Sequence, residues 1–465
     1  MGQDTLKVLS PYDEHLIKEL PLASADEVEK ALSAARLLAD DPDATRPIPE
    51  RIQILRKTQV LLEERYDDVV RTAAEEGGKP LIDSRIEVTR AINGIGVAIE
   101  ALTHMSGTEI PMRLNAASLH RMAFTFREPI GVVVAISAFN HPFNLLMHQV
   151  IPAVAVGCPV LIKPAGTTPL SCLYLMELLY EAGLPREWAQ AVLCDNKLAE
   201  KMATDRRVDF LTFIGSSRVG WYLRSKIAPG TRCALEHGGA APVIVEADAD
   251  LDAAIPLIVK GGFYHAGQVC VSVQRIFVDT KIAGEFTKRV SEAASKLRVG
   301  DPLDPETEMG PLILPREVDR VHKWVQEAVD KGGKLLAGGN KIGATCYEPT
   351  VILNPPQDAT LSREEIFGPV VAVYPYKERR EAIKTANSLP LSFQASIFTK
   401  NIDAALDTVK RINAKAVMIN DHPAFRVDWM PFGANKVSGL GVGGIPYTML
   451  DMTQEKLMVI KSPAL

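Results

Sequence analysis

Apolar positions recur at helical spacing through most of the first hundred residues. Ser24-Ala25-Asp26-Glu27 reads as an N-terminal cap, and Val28, Ala31, Leu32 and Ala35 follow on one face; Ile52 to Val70 repeats the pattern. From about residue 130 the pattern changes to short apolar runs alternating with longer helical stretches. It predicts strands at Val132–Ile136, Val160–Lys163, Ala191–Leu193 and Phe210–Ile214, interleaved with helices at Phe143–Val156, Leu170–Ala182, Lys197–Thr204 and Arg218–Ile227. A second block opens at Leu235 to Val245. It carries helices at Leu251–Gly261, Ala283–Leu297, Arg316–Lys331, Arg380–Asn387 and Ile402–Ile412, with strands at Arg275–Val278, Val370–Tyr374 and Ala395–Phe398. Alternation of this kind predicts an α/β fold of parallel sheets flanked by helices, with ligands held beyond the carboxyl ends of the strands. Two segments stand outside both blocks: Leu119–Arg127, which alternates apolar and polar residues, and Lys456–Ile460. Isolated strands at such positions are edges that pair with another subunit or form a simple edge hairpin.

The apolar stretch from Pro129 to Lys163 is long enough to resemble a membrane span. Asn140, His141, Pro142, Asn144, His148, Pro152 and Pro159 interrupt it, so no run reaches the roughly 18 apolar residues a spanning helix needs. Buried strands joined by a helix fit better. At 465 residues the chain is long for one core, and two or three packed domains are expected, since neither a repeat nor a low-complexity linker occurs. The net charge of -5 is spread along the chain, which argues against a nucleic-acid or membrane-surface partner. Met1 to Ser10 lacks an apolar core of signal-peptide length, and the six cysteines include no CxxC pair. A reducing cytoplasmic setting without structural metal is the expectation.

Cys270 ends Gly267-Gln268-Val269-Cys270, and Glu236 begins Glu236-His237-Gly238-Gly239 upstream. A thiol that can attack and a carboxylate that can move protons are the minimum for covalent chemistry at a carbonyl. A cysteine taken alone is more often a buried small hydrophobe. No GxGxxG follows the first predicted strand; instead Phe213-Ile214-Gly215-Ser216-Ser217-Arg218-Val219-Gly220 puts a small polar turn before a helix. Backbone N–H groups and the Ser216 hydroxyl there are suited either to a pyrophosphate or to ordinary helix capping. Lys163-Pro164-Ala165 ends a strand with a cation that meets a ribose or is merely solvated.

Read together, Phe139-Asn140-His141-Pro142, Lys163-Pro164-Ala165, Phe213 to Gly220, Glu236 to Gly239, Gly267 to Cys270, Glu365-Ile366-Phe367-Gly368-Pro369, and Pro431-Phe432-Gly433 with Ser438-Gly439 form an ordered set. The succession resembles the aldehyde dehydrogenase superfamily over nearly the whole chain, closest to its lactaldehyde, succinate-semialdehyde and phosphono-aldehyde branches. The resemblance implies a variant Rossmann cofactor domain (1–110 and 129–237), a catalytic domain (238–440) and a small β oligomerisation element (111–128 and 441–465), assembled as a homodimer or homotetramer. It assigns Cys270 as the nucleophile, Asn140 as an oxyanion donor, and Glu236 as the base that hydrolyses the thioester. Lys163, Ala165, Gly166, Gly215, Ser216, Glu365 and Phe367 would hold NAD or NADP, Glu365 being chosen over Glu364 by its place before Ile-Phe-Gly-Pro.

Departures from the family pattern refine these expectations. Gly166 stands where relatives preferring NAD commonly carry a ribose-binding glutamate, which removes a barrier to the 2′-phosphate and favours NADP. His237 replaces the usual leucine after the base. His148, at a position where similar succinate-semialdehyde dehydrogenases carry a carboxylate-binding arginine, joins His141 and Arg426 as polar substrate candidates. They favour a small aldehyde with an anionic tail (carboxylate, sulfonate, phosphonate or phosphate). Val269 weighs the other way, because some relatives acting on phosphorylated aldehydes have arginine there. Glu236 argues for water rather than coenzyme A as acyl acceptor. Neutral hydroxy- or aliphatic aldehydes, and a non-redox cysteine hydrolase, are the alternatives.

Overall fold

The computed structural model describes residues 4–465; the first three residues of the Met1–Ser10 stretch lie outside the described residues. Two sheets, each sandwiched by helices, make the body. The first runs in the order Gly439–Leu440, Arg232–Glu236, Phe210–Ile214, Val133–Ile136, Val160–Lys163, Ala189–Ala191, and is parallel except for Gly439–Leu440. Its central strands are covered on both faces, which is why they read as unbroken apolar runs. Val133 and Ala135 join one core layer and Val132 and Val134 the other. Chain order reverses at Val133–Ile136, so a crevice opens beyond its carboxyl end. The helix Asn144–Val156 that follows is buried at every residue, packed against Leu81–Leu102 and Ile445–Asp451. That full burial accounts for its lack of a polar face.

The second sheet has seven strands, in the order Lys334–Ala337, Thr350–Leu353, Val370–Tyr376, Arg275–Asp279, Pro242–Val245, Gln394–Phe398, Ala416–Ile419, with only the first antiparallel. Leu235 to Val245 therefore divides: Arg232–Glu236 closes the first sheet and Pro242–Val245 opens the second. Gly439–Leu440, read from sequence as the end of the catalytic segment, instead pairs with Arg232–Glu236, bringing Gly439 opposite Glu236.

A third, antiparallel sheet stands apart. Thr453–Lys461 pairs residue for residue with Arg121–Pro129, and Glu109–Ile110 adds a short third strand. The two segments outside the α/β blocks are thus partners of each other. A hairpin, Thr5–Leu9 with Leu16–Pro21, precedes the first helix and was absent from the helical reading of this region. The helix start itself is as the sequence implied, with Ser24 and Glu27 forming a capping box. Among the described residues no helix is long and apolar enough to cross a membrane.

Candidate active site

The carboxyl ends of the first sheet face the loops that enter the second across a cavity of about 920 Å³, lined by Asn140, Glu236 and Cys270 among others. Asn140 follows strand Val133–Ile136, Glu236 ends its own strand, and Cys270 lies in the loop before Arg275–Asp279.

The backbone approaching Cys270 is unusual. His265, Ala266 and Gly267 have φ values of 48°, 52° and 68°, three left-handed residues in succession. A Cβ on Gly267 would sit 2.2 Å from the Gly368 carbonyl oxygen. Gln268 ties the segment down: its Nε2 donates to the carbonyls of His265 (3.3 Å) and Pro311 (3.2 Å), and its Oε1 accepts from the Ile313 N–H (2.9 Å). The Asn140 Nδ2 donates to the Gln268 carbonyl at 2.9 Å, so the amide is aimed at the cysteine-bearing segment.

Burial, reinforced by the negative charge of Glu236, pushes the Cys270 thiol up to about 12, with Arg426 acting in the opposite sense. Burial also raises Glu236, again opposed by Arg426. Gly443 makes room for this carboxylate, since a Cβ there would lie 2.2 Å from Glu236 Oε1. All six cysteines are free thiols.

At the other end of the cavity Ser216 precedes helix Ser217–Arg224 without capping it through its side chain. The N–H groups of Val219 and Gly220 bond to its backbone carbonyl, which leaves the hydroxyl available at a helix N-terminus. Ala165, Gly166, Thr167, Gly215 and Ser216 line the cavity here. Lys163 sits behind this lining and donates to the Pro164 carbonyl at 3.3 Å. Glu365 is held by the Gly239 N–H (3.2 Å), and burial pushes it up to about 8. A Cβ on Gly238 would fall 1.7 Å from Glu365 Oε1, so the glycine after His237 is what lets that carboxylate enter. Phe367 meets Phe139 edge-on, 5.9 Å between centroids. A free hydroxyl at a helix N-terminus, a glycine-lined approach and a buried ribose-sized acceptor fit a dinucleotide. His237 bonds the Gly215 carbonyl through Nδ1 (3.0 Å) and packs between Phe213 and Trp221.

The polar substrate candidates separate. His148 does not line the cavity. Its Nε2 lies 2.7 Å from Asp428 and its Nδ1 3.3 Å from an Arg426 nitrogen, so Nε2–H donates to the carboxylate and Nδ1 accepts from the guanidinium. Burial and Arg426 lower it to about 4, and it is a neutral link rather than a cation facing substrate. His141 does line the cavity, 3.1 Å from the Tyr264 hydroxyl, but burial and the charge of Lys79 hold it well below the usual histidine range. Arg426 is different. It lines the cavity with its guanidinium 3.5 Å from the Phe432 ring centre; its buried Nε lacks a partner, and among the described residues no carboxylate lies within ion-pair distance of it.

Arg90 also lines the cavity and was not singled out from sequence. It pairs with Asp428 through two bonds of 2.6 and 3.1 Å. Burial disfavours the Asp428 carboxylate, yet His148 and Arg90 together hold it well below the usual range. The available signal was a run of charged positions, Asp83, Glu87 and Arg90, spaced at i, i+4 and i+7 along one side of the helix, the first two of them buried.

A cysteine and a carboxylate lining one crevice between two mostly parallel sheets define an α/β protein with a dinucleotide-sized cleft. The sequence profile of the aldehyde dehydrogenase family matches residues 1–458. A 3-sulfolactaldehyde dehydrogenase of Priestia aryabhattai is 39% identical, covering 98% of this chain and 95% of that one. Among solved structures, aldehyde dehydrogenase 21 of Physcomitrella patens, in complex with its reaction product succinate, superposes with a TM-score of 0.95 at 37% identity, covering 99% and 95% of the two chains. A glyceraldehyde-3-phosphate dehydrogenase of Methanocaldococcus jannaschii, complexed with NADP, gives 0.93 at 34% identity, covering 99% and 100%. The chain belongs to the aldehyde dehydrogenase family. It is a nicotinamide-dependent oxidoreductase acting on aldehydes.

Proposed function

We propose that the enzyme oxidises a small aldehyde bearing an anionic tail to the free acid, through a covalent intermediate on Cys270. The observation that carries the chemistry is the convergence of Cys270, Glu236 and Asn140 on one cavity. The Cys270 thiol gives its proton to Glu236 as sulfur bonds to the carbonyl carbon; the raised Glu236 is the better matched base for so weak an acid. The resulting oxyanion accepts from the Cys270 N–H and from Asn140. An amide has two N–H donors, so one stays on the Gln268 carbonyl as an orienting bond while the other meets the oxyanion. Bound nicotinamide supplies the acceptor for the hydride, which leaves a thioester on Cys270. Glu236 releases the thiol proton to solvent and then takes a proton from water as its oxygen adds to the thioester carbon; the carbon–sulfur bond breaks, the sulfur recovers that proton from Glu236, and the acid leaves.

For the cofactor, Ser216 and the helix N-terminus hold the pyrophosphate, Glu365 the nicotinamide ribose and Lys163 the adenosine ribose, with Phe367 beside the nicotinamide. With Gly166 and Thr167 lining the ribose end, this segment carries no acid to repel a 2′-phosphate, so NADP is accepted and slightly favoured. The third sheet joins protomers into a homo-oligomer.

Arg426 carries the substrate reading: it is a buried cation with no carboxylate in ion-pair contact, Glu236 and Asp428 acting on it only from beyond that distance, and an anionic substrate would supply the missing contact. The name of the Priestia relative, whose substrate bears a sulfonate, supports it. Val269 favours the neutral-aldehyde alternative. Initial rates of NADP and NAD reduction with sulfolactaldehyde, succinate semialdehyde, lactaldehyde and a neutral aliphatic aldehyde separate the two. Replacing Arg426→Met is expected to lower kcat/KM for anionic aldehydes by roughly 10- to 100-fold more than for the neutral aldehyde, the value of a charge-assisted bond, the loss common to both reporting the charge Arg426 exerts on Cys270 and Glu236. Equal losses for both classes would refute the anionic-tail reading.

A further inference from the structure

Two buried charges outside this chemistry lie directly behind the Asn140 loop. Lys79 is 0% exposed and Glu87 1%, and they form an ion pair. Each also grips the loop. Glu87 Oε1 accepts from the backbone N–H groups of Phe143 (2.9 Å) and Asn144 (2.8 Å), at the start of a helix that has no side-chain cap of its own. Lys79 Nζ donates to the Asn140 carbonyl at 3.4 Å. The turn that carries Lys79 is itself fixed, because the Ser84 hydroxyl donates to the Lys79 carbonyl at 3.1 Å. One ion pair thus holds the peptide of Asn140 on one side and the first turn of the following helix on the other.

Buried ion pairs contribute little net stability, since desolvation offsets attraction and apolar replacements are often neutral. Geometry is the better account of this one. We infer that Lys79 and Glu87 are a positioning pair that sets the Asn140 amide for the oxyanion, so that their contacts with this loop govern the acylation step while leaving binding unchanged. The inference rests on the proposed role of Asn140.

The test is a double-mutant cycle on the pre-steady-state rate of nicotinamide reduction. Glu87→Gln keeps an oxygen for the two N–H groups but leaves Lys79 without its anion. Because misplacement of a catalytic group by about an ångström costs up to roughly 100-fold, the rate is expected to fall about 10- to 100-fold, with KM and cofactor Kd within about twofold of wild type. On the Asn140→Ala background the same change is expected to cost nothing further, because the group it positions is gone. An unchanged rate in Glu87→Gln, a proportional rise in KM, or a full additive loss on the Asn140→Ala background would overturn the inference. If Glu87→Gln does not fold, the neutral pair Lys79→Met with Glu87→Gln takes its place with the same expectations, and wild-type rates in it would be equally fatal. Should Asn140→Ala alone leave the rate intact, the oxyanion assignment fails; should it slow the reaction while Glu87→Gln adds fully to it, only the positioning role fails.

Discussion

At the scale of single residues, the site is held in a chemically quiet resting state. A thiol at about 12 is almost wholly protonated at neutral pH, because burial and the adjacent Glu236 both disfavour the thiolate. Only transfer of the proton at the moment of attack makes it a nucleophile. The cofactor-free enzyme should therefore alkylate slowly with iodoacetamide, and the rate should climb roughly tenfold per unit from about pH 7 to about pH 10 without a plateau near the ordinary cysteine value. Glu236→Gln removes one of the two causes, so the profile should move to lower pH. A plateau below about pH 8 in the wild type would show that the free enzyme already stores a thiolate. Arg426 is subject to the same burial, which lowers it, while the charges of Glu236 and Asp428 oppose that shift and the His148 ring and the Phe432 face make its contacts.

At the scale of elements, three successive left-handed residues deliver Cys270 to the cavity, and Gly267 is the one that permits no side chain at all. Gly267→Ala combines an unfavourable φ with a Cβ at 2.2 Å from a carbonyl oxygen. It is expected to destabilise by about 2 kcal/mol or more, read as a fall in Tm, and to abolish turnover by shifting the cysteine loop. A variant with native Tm and activity would mean that the loop has a second acceptable path. The elements around this loop differ in how well the sequence announces them. Strands Val133–Ile136, Val160–Lys163 and Phe210–Ile214 are legible because burial on both faces makes them continuous apolar runs. The Thr5–Leu9 and Leu16–Pro21 hairpin is not, since most of its residues are exposed and neither strand is buried on both faces. Arg90 is missed for a related reason: an arginine on a long helix reads as solvated until Asp428, far away in sequence, is seen to hold it over the cavity. His148 was legible as a polar residue near Asn140, but its neutral state depends on Asp428 and Arg426, which spacing alone does not bring together.

At the scale of the whole molecule, the cavity lined by Cys270, Glu236 and Asn140 is built from one chain, while the third sheet is left unfinished by it. Thr453–Lys461 is the outer strand of that sheet, and four consecutive residues on it, Leu457, Met458, Val459 and Ile460, are 54%, 40%, 49% and 39% exposed. Neighbouring side chains on a strand point to opposite faces, so neither face of this strand is covered, and among the described residues no strand pairs with its outer backbone groups. Met122 and Phe126, on the paired strand, are exposed as well. A long apolar edge of this kind is an aggregation hazard unless a specific partner covers it, and a second copy of the chain supplies the same surface in return. Light scattering on the wild type is expected to give a dimer or tetramer at micromolar concentration. Paired substitutions Leu457→Lys and Val459→Lys, which place two like charges on one face, should shift the mass to that of a single chain. Because the cavity lining does not draw on that sheet, the shifted species should still show slow, pH-dependent alkylation of Cys270. A wild type that scatters as a monomer, or a charged variant that stays assembled, would place the interface elsewhere and leave the exposed strand to be explained by another partner.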